Sequence, residues 1–246
     1  MADQKIPLIA DKNTPFRFIG RGVYTMAEAG RLTGVSVRNL RRWARGYHYT
    51  YQGRERYSPP IIGTGLEERG GEPILDFQDI MEVRFLSAFR KEGVSWSVIR
   101  RVAAKVQIAL KFTHPFATRL FRTDGRTILL ELISRDEKDH RLVDLLRDQY
   151  EWERVVKAHL VDEKVEFSDR QEPIRWWPLG EERRIVVDPA RAFGAPIVAK
   201  EGVQTYLLAK AVAVEGDVDF VAEWYNVERD AIHDAIDFEN GLRAAA

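Results

Sequence analysis

No cysteine occurs in the 246 residues, so disulfides and thiolate metal sites are excluded and a reducing compartment is expected. Net charge is missing too, because 38 basic residues cancel 38 acidic ones. No apolar run approaches the ~20 residues that span a bilayer. The first residues are polar and hold no apolar signal core. These absences predict a cytoplasmic chain without a membrane segment. Histidine is sparse: His48, His114, His140, His159 and His233 are scattered, and no two share the short helical spacing of a metal motif. The glycine-rich stretch "GTGLEERGG" from Gly63 lacks the Gly-Lys-Ser/Thr that grips phosphate, and no Gly-x-Ser-x-Gly elbow occurs. Carboxylates are numerous but dispersed. Neither a catalytic group, a metal nor a cofactor is expected, and the chain reads as a non-enzyme.

What is present is an ordinary globular composition, 45% hydrophobic and 31% charged, long enough for one to three domains. The cancelling charges are segregated. Between Arg17 and Arg56 nine arginines face only Glu28 and Glu55, a local charge of +7, so the remainder is net acidic.

That basic segment has a readable organisation. Thr25 and Glu28 form a Thr-x-x-Glu capping box ahead of Ala29 and Leu32. Gly34 ends the first helix, Ser36 caps a second, and Gly46 stops it near Arg45. On a helical wheel Val37, Leu40, Trp43 and Ala44 share one sector, while Arg38, Arg41, Arg42 and Arg45 take the opposite one with Asn39 on its flank. Like charges on one face repel, and no acid at i,i+4 relieves them. Phosphate supplies the missing counter-charge. Helix, three-residue turn and polar-led second helix have helix-turn-helix spacing. From Tyr47 to Tyr57 aromatic and polar residues alternate around Gln52-Gly53, as in a small hairpin, which reads as a wing. Expected DNA contacts are Ser36, Arg38, Asn39, Arg41, Arg42, Arg45, Tyr49, Tyr51, Arg54 and Arg56, with Arg38 and Asn39 nearest the bases and the wing on backbone phosphate.

Further on, Asp76 reopens regular structure. Phe77, Met81, Phe85, Ala88 and Phe89 fall at helical spacing, Ser95 caps the next helix, and His114-Pro115 breaks it. Asp124-Gly125 between two apolar runs predicts a second hairpin. A helix is expected from about Asp139 to Tyr150, and a strand at Val165–Phe167. Residues 171–190 hold three prolines and read as an inter-domain crossing. Three short helices then close the chain, with Val203, Leu207, Leu208, Ala211 and Val212 inward on the first, Asp217 capping the second, and Ala231, Ile232, Ala235, Ile236 and Leu242 inward on the third.

"YTMAEAGRLTGVSVRNLRRW" with "LDFQDIMEVRFLSAFRKEGVSWSVIRRV" resembles the DNA-binding region of MerR-type regulators, without their long coiled coil or metal-binding cysteines. The block from "RIVVDPARAFGAPIV" to "DFENGL" is similar to a small helical domain of antitoxin-like proteins. Together they resemble a large, multidomain VapB-type antitoxin. The resemblance implies a PIN-domain ribonuclease toxin as partner, whose acidic metal site the antitoxin blocks, and autoregulation of a shared operon. Toxin-facing candidates are Trp176 and Trp177 beside Pro178, and Phe238, Leu242 and Arg243 in the tail.

The expected fold is α+β, mainly α. Residues 1–112 form a MerR-like winged helix-turn-helix, 113–180 a mixed middle region with the β-hairpin, and 181–246 a helical antitoxin-like domain with a three-helix, helix-turn-helix-like core. Operator DNA is read by a homodimer, its recognition helices about 34 Å apart. The alternative is a stand-alone regulator with a small-molecule effector bound in the middle region.

Overall fold

The computed structural model describes residues 18–63, 71–91, 93–121 and 164–245. The predicted Asp124-Gly125 hairpin and the helix from Asp139 lie outside them. Among the described residues the architecture is α+β and mainly helical.

Helix α1 (Met26–Thr33) starts with both halves of the capping box, the Thr25 hydroxyl accepting from Glu28 N and the Glu28 carboxylate accepting from Thr25 N. Gly34 closes it at φ 66°, a left-handed cap that a side chain would strain. Helix α2 (Val37–Arg45) follows. Hairpin β1 (Tyr47–Tyr51) and β2 (Arg54–Ser58) is antiparallel, with Tyr51 opposite Arg54. Gln52 and Gly53, at φ 50° and 71°, supply the two positive-φ residues of a tight hairpin turn.

Helix α3 (Phe77–Lys91) is the spine of the head. Apolar residues bury on nearly every side of it because α1, α4 (Trp96–Leu110) and a short 3-10 turn at Pro115–Ala117 all pack against it. Phe85 stacks on Phe116 at 5.1 Å and meets Phe121 edge-on at 4.9 Å, which closes the end of this core. Ser95 stands at the α4 N-cap, but its hydroxyl lies 3.0 Å from Ser97 Oγ and does not cap the helix.

A four-stranded antiparallel meander follows: β3 (Lys164–Phe167), β4 (Pro173–Trp177), β5 (Ile185–Val187) and β6 (Pro196–Val198). The expected crossing at 171–190 thus supplies two strands of this sheet, β4 and β5. Its prolines do not interrupt the ladder because Pro173 opens β4, where a missing N–H is tolerated. β5 is too short to show a periodicity. The sheet takes two strands from each side of the 180/181 boundary, with Trp176 opposite Val187.

Three helices close the chain: α5 (Thr205–Glu215), α6 (Val218–Tyr225) and α7 (Arg229–Ala245). Asp217 caps α6 by accepting from Asp219 N and Phe220 N, and Asn226 ends it in the left-handed region. Leu208, Val221, Ala231, Ile232 and Ala235 share one buried cluster with Ile185, Val187 and Val198 of the sheet, α5 and α7 lying against β5 and β6 and α6 against those two helices. Leu207 was expected inward but is 43% exposed, because one helical step separates it from Leu208, which takes the inner position. No described helix is long and apolar enough to cross a membrane.

Candidate nucleic-acid interface

Two tryptophans set the angle of α2. Trp43 is buried and meets Trp96 of α4 edge-on at 4.6 Å, and its carbonyl accepts from both Ile61 N and Ile62 N. With Leu40 at 0% exposure, this fixes one face of α2 against the head. Arg38, Asn39, Arg41 and Arg45 are exposed and Arg42 half-exposed, as the wheel predicts. The Ser36 hydroxyl accepts from Asn39 N at 3.4 Å, so Ser36 serves the cap while standing at the leading end of α2.

The hairpin is docked to α2 through Gly46, Tyr47 and Tyr57. Tyr57 donates to the Arg45 carbonyl at 3.1 Å, and the Arg42 guanidinium lies over the Tyr47 ring at 4.9 Å. Arg56 covers the Tyr51 ring at 5.4 Å, and His48 pairs with Glu55 at 3.1 Å. Tyr49, Tyr51, Arg54 and Arg56 are all exposed. The ten residues expected to touch DNA therefore lie on one helix and the hairpin joined to it.

One expectation is corrected. The arginine face is not wholly unneutralised, because Arg41 Nε bonds Glu72 Oε2 at 3.0 Å. That acid comes from the far side of the loop before α3, so no helical spacing reveals it. Arg45 donates to the Gly71 carbonyl nearby. Both members of the Arg41–Glu72 pair are half-exposed, and such pairs contribute about 0–1 kcal/mol. Phosphate can displace it. Among the described residues Arg38, Arg42, Arg54 and Arg56 have no carboxylate partner.

The toxin-facing candidates fare differently. Trp176 is buried under the Arg84 guanidinium at 4.0 Å, and Phe238 is buried in the tail core, so neither offers an outward anchor. Trp177 is half-buried and donates through Nε1 to Glu166 at 2.8 Å. Leu242 is half-buried and Arg243 exposed. Their inward positions follow from chain folding that brings β4 onto α3 and α7 onto β5 and β6.

Two polar clusters escaped the sequence. At the start of α3, Asp76 and Asp79 cap each other's backbone N–H, Asp79 Oδ1 meets His114 Nε2 at 2.9 Å, and Arg21 bonds Asp76 at 2.5 Å. Three ligand-type atoms of Asp76, Asp79 and His114 thus approach within 4.8 Å, but all four carboxylate oxygens are already engaged. Burial pushes the neighbouring Glu82 carboxyl up to about 8. Burial alone would lower His114, but the hydrogen bond and charge of Asp79, with Glu82 and Asp76 beyond, raise it to about 9. The scattered histidines of the sequence give no sign of this role for His114. Its partner lies 35 residues away, beyond any local pattern. The second cluster is the head–tail seam, where a cleft of about 440 Å³ runs between α1 and the tail, with Arg31, Tyr24, Thr205 and Glu239 in its wall.

Residues 22–103 match the family described as "Putative DNA-binding HTH domain". The chain is 27% identical over 231 residues to "Putative antitoxin VapB45" of Mycobacterium tuberculosis, spanning 87% of this chain and 92% of that protein. The chain is similar over most of its length to an antitoxin of the VapB type, and its head is a helix-turn-helix. The crystal structure of Rv2018 from Mycobacterium tuberculosis shares the architecture, with a TM-score of 0.68 at 26% identity over 87% of this chain and 96% of that one. Both likenesses cover 87% of this chain.

Proposed function

We propose that the chain is a DNA-binding antitoxin that neutralises a PIN-domain ribonuclease toxin and represses its own operon. The observation that carries this reading is the α2–hairpin surface, where Arg38, Arg54 and Arg56 are exposed, Arg42 is half-exposed and none of the four has a carboxylate partner among the described residues, on a chain similar to an antitoxin over most of its length. Guanidinium groups grouped this way on a recognition helix suit phosphate and the guanine edge. One helix reads a half-site, so a homodimer on a two-fold operator is the working form. Nothing in this role calls for catalysis.

The test has two arms. Fluorescence anisotropy with the duplex upstream of its own reading frame should show binding that weakens steeply with salt. Co-expression with the neighbouring reading frame should yield a complex in which ribonuclease activity is silenced. Salt-insensitive binding, or a neighbour that neither binds nor cleaves RNA, removes the respective half.

A second reading, a stand-alone regulator with a small-molecule effector, is favoured by the cleft of about 440 Å³, a volume within the usual range of ligand pockets, which lies between head and tail rather than in the middle region where the sequence placed the effector. That regulator would purify alone and change its DNA affinity with a ligand.

A further inference from the structure

The register of the wing sorts its residues onto two unlike faces. Neighbours along a strand alternate faces, and residues directly opposite across the pair share one. Tyr49 stands opposite Arg56 and Tyr51 opposite Arg54, so Tyr47, Tyr49, Tyr51, Arg54 and Arg56 line one face. His48, Thr50, Glu55 and Tyr57 line the other. Glu55 is the one acid of the hairpin, and on that second face it meets His48 Nδ1 at 3.1 Å. The His48 and Tyr57 rings lie 4.9 Å apart beside this pair. The first face carries two arginines and no carboxylate, which makes it the face that suits phosphate.

On the first face two guanidinium groups rest on rings. Arg56 reaches diagonally across the strand pair, and its guanidinium lies 5.4 Å from the centre of the Tyr51 ring. Arg42, arriving from α2, lies 4.9 Å from the centre of the Tyr47 ring. The Tyr47 and Tyr49 rings follow at 5.8 Å, so an aromatic row runs from the recognition helix along β1. One arginine over one surface tyrosine is ordinary packing. Here the contact occurs twice on one face, each time with an arginine that has no carboxylate partner among the described residues. Tyr51 is also exposed, so the core does not account for its ring. A ring under the flat face of a guanidinium leaves the N–H groups, which point outward in its plane, free for an anion. An arginine already held in this way loses less rotamer entropy when it takes a phosphate.

We propose that Tyr47 and Tyr51 are positioning residues for DNA binding, their rings holding Arg42 and Arg56 ready for phosphate. Tyr51 then acts through Arg56 and not by a contact of its own, and the tyrosine face of the wing, not the His48 face, is turned to the duplex. This rests on the DNA-binding reading of the α2–hairpin surface. It adds which side chains of that surface take phosphate and which hold the ones that do.

The experiment titrates the full chain onto the duplex upstream of its own reading frame and onto a random duplex, at several salt concentrations. The pair Tyr47→Leu/Tyr51→Leu should weaken binding about tenfold on both duplexes while keeping the wild-type salt slope, because no charge is lost. Arg42→Ala/Arg56→Ala should instead reduce that slope by about two. Tyr47→Phe/Tyr51→Phe keeps the rings without the hydroxyls and should recover most of the loss. A double-mutant cycle on Tyr51 and Arg56, both exposed, is free of any effect on folding: Tyr51→Leu should cost about two- to fivefold in the wild-type background and nothing further beside Arg56→Ala. A leucine pair that binds within twofold of wild type overturns the proposal. So does a phenylalanine pair nearer to the leucine pair than to wild type, or an equal cost of Tyr51→Leu in both backgrounds, which would make the tyrosine a direct contact. In each of these cases the DNA-binding reading stands. Wild-type chain that binds neither duplex in a salt-dependent way removes that reading and this role with it.

Discussion

Arg31 Nη2 lies 2.6 Å from Glu239 Oε2, which ties the first helix of the DNA-reading head to the last helix of the tail across 208 residues. The Glu239 carboxylate is almost fully buried, and its other oxygen accepts from the Thr205 hydroxyl at 2.6 Å. Nearby, Tyr24 donates to the Gly194 carbonyl at 2.9 Å, and Val23 N bonds the Phe193 carbonyl at 2.9 Å. The seam is therefore latched by directional bonds as well as by packing, and the tail has a defined orientation relative to α1.

The latch is asymmetric. Arg31→Ala leaves Glu239 buried with only the Thr205 hydroxyl, and a stranded buried charge is expensive. Glu239→Gln leaves an acceptor for Thr205, while Arg31, 38% exposed, can turn to water. The expected losses are about 2 kcal/mol for Arg31→Ala and about 1 kcal/mol for Glu239→Gln. Denaturant unfolding with a double-mutant cycle measures both. Equal losses, or a cycle showing no coupling, would contradict the arrangement.

Stability should fall as pH rises. Glu82 and His114 both hold a proton more tightly when folded, so folding takes protons up within their windows. For Glu82 the contribution is complete below about 4.5 and is lost as pH passes about 8. For His114 it is complete below 6.5 and is lost through about 9. Each group changes stability by at most about 1.4 kcal/mol per pH unit within its window. Glu82→Gln keeps an acceptor for Ala117 N, which bonds the carboxylate at 2.9 Å, and removes the titration. The variant should match wild type near the acid end and exceed it at the alkaline end, read as a difference in thermal midpoint. A constant difference across the range would exclude the assignment.

Most local signals were readable, Ser95 at the start of α4 being an exception, and distant ones were not. Thr25-x-x-Glu28, Gly34, Ser36, Gly46 and Asp217 act within four residues of themselves, and each stands where the pattern puts it. The Gln52-Gly53 turn fixes the wing in the same way. The Arg41–Glu72, Asp79–His114 and Arg31–Glu239 pairs join residues 31, 35 and 208 positions apart, and no spacing rule encodes them. Strands β5 and β6, three residues each, are shorter than the alternation needed to recognise a strand. Trp176 illustrates the remaining gap: a Trp-Trp-Pro run looks like an anchor until Arg84 is found over its ring.

Within the DNA surface, different residues should fail differently. Arg38 stands exposed on the first turn of α2, where a side chain reaches the bases, so Arg38→Ala should lose about 1–3 kcal/mol on the operator and less on random duplex. Arg56, on the wing over Tyr51, should lower affinity evenly for all sequences and reduce the salt slope by about one. Arg41→Ala should show the smallest effect of the α2 arginines, since Glu72 already holds part of its charge. Titrations on both duplexes at several salt concentrations separate these cases. Equal losses on both duplexes for Arg38→Ala would rule out a base contact.

The sharpest backbone test lies at Gly46, between the recognition helix and the wing. Its φ is +75°, and a Cβ there would sit 2.5 Å from the Ser58 carbonyl and 2.6 Å from Tyr57 Oη. Strand β2 would have to move, and with it the Tyr57–Arg45 bond that docks the hairpin. Gly53 at the wing tip has a similar φ of +71° but open space around it. Gly53→Ala thus meets only the intrinsic strain of that conformation, about 1 kcal/mol. Gly46→Ala puts a side chain at φ 75°, ψ −179°, a region essentially reserved for glycine, adds a steric clash, and should be destabilised by at least about 2 kcal/mol. The functional contrast should be larger: Gly46→Ala should move Arg54 and Arg56 away from their proposed phosphate contacts and flatten the salt dependence of DNA binding, whereas Gly53→Ala should leave it unchanged. Indistinguishable behaviour of the two variants in thermal unfolding and in salt-titrated DNA binding would mean that the hairpin is not positioned by its contact with α2.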